Sequence, residues 1–313
     1  MTIFRKIWIW VIVGSLLLVI ASWLFIFPIG VGIDGCSFST DSGMSLPAGR
    51  LGSVSSPLDD HVYILSEYGV LKRIGKGCTN NIAMLVERAL PIDQGVIYTN
   101  WSGTLHLKNQ DKTVKIAKNV DAFGWDGKRV LYCSDGGLFS WIDGETRYIT
   151  ELPDIDVAFL YANDKNIIFE SSTDLYLCNE NGTSKEIDIH TGSPNRYILF
   201  GDYLVIIGSG KLGAEVYHLP TGAVQPLDIG WYAAEHFNTI SATCDGKNIY
   251  LSMHSKTWPK VEEEINTGTF RIDPESWTIE EISPNFYDSL AYIDGMLYGL
   301  DLSTFSGEWS QIP

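Results

Sequence analysis

A short apolar run recurs at a nearly constant interval through most of this chain of 313 residues. Each copy follows a turn-like segment and is rich in Val, Ile, Leu and Tyr. The seven copies are separated by steps of 34, 34, 37, 37, 45 and 48 residues and begin at Val62, Val96, Val130, Ile167, Leu204, Ile249 and Leu297. A period of this size indicates one array of structural repeats rather than two unrelated domains.

Two complete repeats lie next to each other in residues 121–190, and each contains four short runs separated by turn residues. Four of the turns begin with dipeptides typical of hairpins, at Asp126, Asn163, Asp245 and Asp294. Such dipeptides supply the positive φ of tight hairpins, so the runs that flank them should pair as antiparallel strands. β-branched and aromatic residues dominate the runs, as they do in strands.

Antiparallel sheets that repeat along a chain protect their edges best by closing into a ring. The sequence therefore predicts an all-β fold, a β-propeller of about seven four-stranded blades over residues 58–313, preceded by one N-terminal transmembrane helix. The last repeat, residues 286–313, has room for about three strands. The segment near residues 50–54 is the candidate for the strand that completes this blade and closes the ring.

The N-terminal residues predict a membrane anchor. Arg5 and Lys6 precede an uncharged apolar run that continues to Ile33. Because about 20 apolar residues span a bilayer, we expect a cytoplasmic stub at residues 1–6, a signal anchor at residues 7–27 and a tether at residues 28–57. The positive-inside rule then places the propeller outside the cell membrane, in the periplasm or the extracellular space. A cleaved signal peptide and a lipoprotein signal at residues 33–36 remain alternatives.

Charge and cysteine content limit the partners. The formal net charge is −16, and Arg5, Lys6 and Asp34 give residues 1–35 a charge of +1, so the remainder carries −17. This balance argues against a nucleic-acid partner. The five cysteines show no zinc-binding spacing. Cys36 and Cys78 flank the start of the folded part and are the candidates for a disulfide in an oxidising compartment.

One phrase carries a family resemblance. Residues 245–251 read Asp-Gly-Lys-Asn-Ile-Tyr-Leu. This phrase is similar to blades of bacterial WD40-like, quinoprotein-like and DUF5050-type β-propellers. The resemblance covers the array from about Leu58 to the C-terminal residue, and it implies an architecture without implying an activity.

A candidate binding face follows from an insertion. The repeat that begins at Ile249 carries extra residues, 253–267, between its second and third strands. In propellers such connections emerge on the same face as the links between blades. Aromatic side chains that meet a few polar groups are typical of recognition sites, and packing of the loops is the alternative role. The candidate binding residues are Trp231, Tyr232, His236, Trp258, Phe286 and Tyr287.

No catalytic motif, resident cofactor or metal site is indicated. The favoured hypothesis is an extracytoplasmic binding module for a protein, peptide or glycan, such as an immunity or inhibitor protein or an envelope scaffold. The alternative is a Ca²⁺-dependent hydrolase or lyase with its site in the propeller funnel. That alternative depends on oxygen ligands for the ion, and the candidates are the carboxylates of Asp154, Asp156, Glu235 and Asp288.

Overall fold

The structure of the chain is a computed structural model. It describes residues 44–45, 49–50, 61–65, 69–75, 78–92, 94–109, 112–153, 157–171, 174–179, 181–188, 194–208, 214–227, 237–245, 247–255, 267–287, 289–293, 296–301 and 308–313. The predicted anchor at residues 7–27 lies outside these residues. Within the described ranges, no helix has the length and apolar character needed to cross a membrane.

The regular structure begins with two short strands, β1 (Met44–Ser45) and β2 (Gly49–Arg50). Sheet 1 then has three strands, β3 (His61–Leu65), β4 (Leu71–Gly75) and β5 (Cys78–Ala83). Sheet 2 contains β6 (Val86–Ile92), β7 (Gly95–Asn100), β8 (Leu105–Asn109) and β9 (Lys112–Ala117). Sheet 3 contains β10 (Val120–Trp125), β11 (Val130–Ser134), β12 (Gly137–Ile142) and β13 (Glu145–Glu151).

The second half of the chain continues the pattern. Sheet 4 contains β14 (Val157–Ala162), β15 (Ile167–Ser171), β16 (Asp174–Cys178) and β17 (Ser184–Ile187). Sheet 5 contains β18 (Pro194–Phe200), β19 (Tyr203–Gly208), β20 (Ala214–His218) and β21 (Ala223–Leu227). Sheet 6 contains β22 (Phe237–Cys244), β23 (Ile249–Ser255), β24 (Gly268–Ile272) and β25 (Ile279–Ser283). Sheet 7 has β26 (Ser289–Ile293), β27 (Met296–Asp301) and β28 (Glu308–Ile312).

The fold is an all-β propeller, and the predicted number of blades needs correction. Sheets 2 to 6 each contain four consecutive antiparallel strands, so the described part of the chain shows five four-stranded blades rather than about seven. Sheets 1 and 7 have three consecutive strands each within the described residues. By the repeat, the described residues show no first strand in sheet 1 and no fourth strand in sheet 7.

The recurring run of the sequence is confirmed as a strand in every sheet. It is the second strand of sheets 2 to 7, and in sheet 1 it is β3. The four hairpins predicted from turn dipeptides also pair their flanking strands antiparallel. The described turns rely on the side chain of the first residue as well as on glycine. At Asp126, for example, Oδ1 accepts hydrogen bonds from the N–H groups of Lys128 (2.9 Å) and Arg129 (2.8 Å).

The hydrophobic core lies between the sheets. Each pair of sheets that are consecutive along the chain shares a cluster of buried side chains, as Leu131 and Cys133 of sheet 3 do with Leu160 and Phe169 of sheet 4. The first strands β10 and β14 contact each other, as do β22 and β26. Strands that meet in this way surround a common axis, so the first strand of each blade is the innermost one.

The segment expected to close the ring has another partner. The backbone of β2 pairs antiparallel with β6, with Arg50 opposite Arg88, whereas closure predicted pairing with sheet 7. Residues 51–54 of that segment lie outside the described residues. Strand β1 pairs with β18, with Ser45 opposite Leu199. The two short strands therefore add to the innermost strands of sheets 2 and 5.

Candidate functional site

The links between blades and the turns between second and third strands lie at the same end of the sheets. At three successive links, a backbone N–H at the boundary between the link and a strand donates to the carbonyl of a glycine in such a turn, over 2.9 Å in each case. The donor and acceptor residues are Val86 and Gly69, Val120 and Gly103, and Leu152 and Gly136. We refer to this end as the link face, and it is the face on which the sequence places the binding residues.

We call each of these hydrogen bonds between a link and a turn a lock. The backbone conformation at the acceptor position of each lock requires a glycine. Gly69, Gly103 and Gly136 have φ values of 73°, 67° and 76°, a region that side chains with a Cβ rarely adopt. A Cβ added at Gly69 would also lie 2.9 Å from the carbonyl oxygen of Val86, whereas at Gly103 the nearest atom would be 3.6 Å away. The lock is therefore tighter at Gly69 than at Gly103.

In sheet 6, the blade with the insertion, side-chain hydroxyl groups rather than a glycine carbonyl form the hydrogen bonds that hold the following link. Ser252 and Thr269 are fully buried cross-strand partners on β23 and β24, and their hydroxyl oxygens lie 3.1 Å apart. Ser252 Oγ accepts the N–H of Tyr287 (2.7 Å), and the hydroxyl of Thr269 donates to the carbonyl of Asn285 (2.9 Å). These contacts hold the link from sheet 6 to sheet 7.

Most of the predicted binding residues cannot be compared with this geometry. Trp231, Tyr232, His236 and Trp258 lie outside the described residues, as do residues 256–266 of the insertion. Their role in binding stays a prediction.

Two predicted residues are described, Phe286 and Tyr287 in the link after sheet 6. Tyr287 is 8% exposed, and its ring packs directly on Gly299, where an added Cβ would collide with it. Its carbonyl also accepts a hydrogen bond from Ser241 Oγ (2.9 Å). These contacts make Tyr287 part of the packing of sheet 7, while Phe286 is half-buried.

An exposed apolar surface on the link face was not predicted. Met84, Leu85 and Trp101 are 56%, 54% and 56% exposed, and we call these three residues the Trp101 patch. The N–H of Trp101 donates to the carbonyl of Leu85 (2.9 Å). The indole ring also lies beside Gly69, since an added Cβ there would be 3.3 Å from an indole carbon. The patch therefore joins the link after sheet 1 to a turn of sheet 2.

Local backbone geometry presents these side chains. Asn100 Oδ1 accepts hydrogen bonds from the N–H groups of Ser102 (3.1 Å) and Thr104 (3.0 Å), which fixes the turn at whose tip Trp101 projects. Leu85 has a φ of 58°, a conformation that is uncommon for non-glycine residues and strained for a bulky one. The sequence signal for this surface was Trp101 within the turn Asn-Trp-Ser-Gly, because side chains at turn tips are usually exposed.

The opposite face carries structural turns. In sheet 6, Asp245 accepts hydrogen bonds from the backbone N–H groups of Lys247 and Asn248 and from the hydroxyl of Tyr250. Burial by itself would raise the pKa of Asp245, but the hydrogen bonds from Asn248, Lys247 and Tyr250 outweigh it and lower the pKa. Burial and the same hydrogen bond raise the pKa of Tyr250. These polar groups satisfy one another within the turn.

Cysteines and carboxylates add no second site among the described residues. Cys133 and Cys178 are fully buried free thiols whose pKa values are raised by burial, as expected of small core residues. Cys78 begins β5 and Cys36 lies outside the described residues, so their pairing stays a prediction. Asp154, Asp156, Glu235 and Asp288 also lie outside. The described part of the chain has no group of three or more His, Cys, Asp or Glu residues able to hold a metal ion.

Comparison with known proteins identifies the class of fold. No protein-family model matches the chain, and no curated protein matches its sequence. Among solved structures, the oligogalacturonate lyase of Vibrio parahaemolyticus aligns with a TM-score of 0.56 at 8% identity, covering 87% of this chain and 91% of its own. The computationally designed Ika8 protein gives 0.54 at 10% identity, covering 89% and 99%. The WD40 β-propeller domain of Doa1 gives 0.53 at 11% identity, covering 85% and 94%. These similarities establish a β-propeller fold.

Proposed function

We propose that the chain is a non-catalytic binding module, a β-propeller that presents its link face to a protein partner from outside the cytoplasmic membrane. The Trp101 patch carries this proposal. Met84, Leu85 and Trp101 expose apolar side chains next to one another, where a backbone hydrogen bond joins the link after sheet 1 to a turn of sheet 2. Trp is among the residues most enriched at the energetic centres of protein interfaces, where a clustered aromatic anchor is surrounded by less important contacts.

The strain at Leu85 supports a role for the patch beyond folding. A left-handed backbone costs an ordinary residue about 1–2 kcal/mol, and the 54% exposed side chain of Leu85 recovers little of this by burial. Strained residues of this kind cluster at binding sites. The patch thus has features that the stability of the fold does not explain.

The acidic surface favours a basic protein partner. The chain outside residues 1–35 carries a formal charge of −17, since Arg5, Lys6 and Asp34 leave +1 in the N-terminal part of a total of −16. Complementary charge raises the rate of association and excludes partners of like charge. This charge is compatible with an immunity or inhibitor protein that binds a basic toxin or enzyme. Capture of a cell-envelope scaffold protein or of a glycan would instead identify one of those as the partner.

The N-terminal residues supply the membrane part of the proposal. Residues 7–27 form the anchor, and Arg5 and Lys6 hold the N-terminus in the cytoplasm. Protease added to intact spheroplasts should then degrade the propeller, and a cytoplasmic marker protein should survive. Protection of the whole propeller would refute this topology.

The binding role is tested by replacing Trp101. Full-length protein is used to capture partners from membranes, and the captured proteins are identified and quantified. Trp101→Ala should reduce capture of a specific partner by at least about tenfold, since an interface hot spot contributes about 2 kcal/mol or more. Tyr148→Ala is the matched control, because Tyr148 is equally exposed, at 55%, but lies on the outer strand β13 of another blade.

Three results separate the alternatives. Loss of capture with Trp101→Ala and retention with Tyr148→Ala support the link face as the binding surface. Equal loss with both variants, or no loss with either, contradicts it. Trp258→Ala measures the contribution of the insertion, and loss of capture with this variant alone would place the binding surface on the insertion instead of the Trp101 patch.

A further inference from the structure

The innermost strands of two separated blades have an additional strand on their inner edge. Strand β6 is the first strand of sheet 2 and pairs with β2, while β18 is the first strand of sheet 5 and pairs with β1. Sheets 3 and 4 stand between these two blades in the order of the chain. The two additional strands face the axis of the propeller, because the first strand of each blade is innermost.

The length of the chain between the two short strands requires a path through the ring. Ser45 and Gly49 are four residues apart, so their Cα atoms can be separated by at most about 14 Å. A blade of four strands is itself about 14 Å wide, at a spacing of about 4.8 Å between strands. A path around the outside of two blades would be much longer. Strands β1 and β2 therefore lie against sheets 5 and 2 from within the central channel.

We propose that the inner edges of β6 and β18 form an acceptor site for an extended polypeptide, and that β1 and β2 of the same chain, which we call the strap, occupy this site. An open strand edge offers a row of unpaired N–H and C=O groups to any extended backbone. Main-chain hydrogen bonds to such an edge provide affinity in β-strand addition, and they do not depend on a particular side chain.

The strap has a consequence for partner binding. It fills strand edges in the channel at which an extended segment of another protein would otherwise add. It also joins the N-terminal residues directly to two blades from inside the ring. This inference rests on backbone pairing and does not depend on the proposed role of the Trp101 patch.

A paired-cysteine experiment tests the position of the strap in the full-length protein. Gly49 and Ala89 are directly opposite partners, so G49C combined with A89C should form a disulfide under mild oxidation, because opposite residues in a sheet lie within the Cα distance that a disulfide needs. The control is G49C combined with T99C. Thr99 lies one strand further, on β7, about 10 Å from β2, which is too far for a disulfide. Equal cross-linking of both pairs, or of neither, would overturn the proposal.

Hydrogen exchange gives a result that needs no substitution. The amide groups of residues 44–45 and 49–50 that face β18 and β6 should exchange at least tenfold more slowly than those of an unstructured peptide of the same sequence. Exchange at the rate of the free peptide would mean that the inner edges are empty, and it would refute the strap.

A peptide added in trans tests whether the edges accept an extended polypeptide. Proline cannot donate to a sheet, so a full-length variant with M44P, S45P, G49P and R50P should release the strap. A fluorescent peptide of residues 43–51 should then bind this variant saturably, bind the unmodified protein at least tenfold more weakly, and fail to bind either when it carries the same four prolines. Equal binding to both proteins, or no binding to the variant, contradicts the acceptor site.

Discussion

The links that follow sheets 1 to 3 and the link that follows sheet 6 are both held by a hydrogen bond from a backbone N–H, but the acceptor groups differ. In the first region, a glycine carbonyl in a short turn accepts an N–H at the boundary between the link and a strand. In the second region, the buried hydroxyl of Ser252 accepts the corresponding N–H, that of Tyr287, over 2.7 Å. Ser252 lies within a strand, whereas Gly69, Gly103 and Gly136 lie in turns.

The difference explains how one blade can carry an insertion. A lock that uses a turn glycine fixes both the length and the conformation of that turn. When the acceptor is a strand residue, the connection beyond it is no longer needed for the lock. The described contacts of the link after sheet 6 come from Ser241, Ser252, Thr269 and Ser283, all of which lie in strands. A long connection on the link face is thereby compatible with a stable blade.

The largest effect is expected when the hydroxyl lock is removed. Ser252→Ala leaves the N–H of Tyr287 without its acceptor and removes one of the two partners of the Thr269 hydroxyl, in a fully buried position. An unsatisfied buried group costs about 1–3 kcal/mol, so the melting temperature should fall by about 2–12 °C at about 2–4 °C per kcal/mol. Ser102→Ala, at an exposed turn, is the control and should change it by less than about 2 °C. An unchanged value for Ser252→Ala would show that the hydroxyl does not hold the link.

Replacing Gly69 by Ala should cost more stability than replacing Gly103 by Ala. Gly69→Ala combines a positive φ with a contact of 2.9 Å to the carbonyl oxygen of Val86, whereas Gly103→Ala has the positive φ with no contact below 3.6 Å. The backbone term is about 1–2 kcal/mol in both variants, and only Gly69→Ala adds a steric term. Thermal denaturation should show a clearly larger loss for Gly69→Ala. Equal losses would mean that conformation alone decides the cost.

The repeat was predictable because each strand depends on local signals. The run at Ile249 and the Asp245 turn before it specify a hairpin without reference to the rest of the chain. The ends of the array were not predictable in this way. Pairing of Gly49–Arg50 with β6 joins residues far apart in the sequence, and no residue type at those positions favours β6 over the last sheet. For this reason the strand expected to complete sheet 7 is found, as far as residues 49–50 are concerned, in sheet 2 instead.

The candidate binding surface was also predictable only where it depends on local sequence signals. Sequence reasoning chose the longest loop and its aromatic residues, and it placed buried Tyr287 together with Trp258. The exposure of Met84, Leu85 and Trp101 depends on a left-handed Leu85 and on a hydrogen bond between two turns. Leu rarely adopts this conformation, so residue type gives no warning of it. A Trp at the tip of a short turn was the available signal.

Replacing Leu85 should separate stability from binding. Asn tolerates the left-handed conformation that Leu85 adopts at a φ of 58°, so Leu85→Asn should raise the melting temperature by about 2–4 °C for a gain of about 1 kcal/mol. The same variant should capture the partner several-fold less well, because an apolar contact is lost. Leu107→Asn is the contrasting variant, since Leu107 is buried and its replacement should destabilise the protein. Higher stability with undiminished capture would remove Leu85 from the binding surface.

The smallest effect on stability is expected from removing the insertion itself. Replacing residues 256–266 with a short Gly-Asn connection leaves Ser252 and Thr269 in place, and these two residues supply the lock. Loop length contributes only about 0.6 kcal/mol per doubling, so the melting temperature should change by less than about 2 °C. Combining the deletion with Ser252→Ala should then give the loss caused by Ser252→Ala alone, because sites that share no contact are additive. A loss much larger than this would show that the insertion supports the link and that sheet 6 depends on its connection as sheets 1 to 3 do.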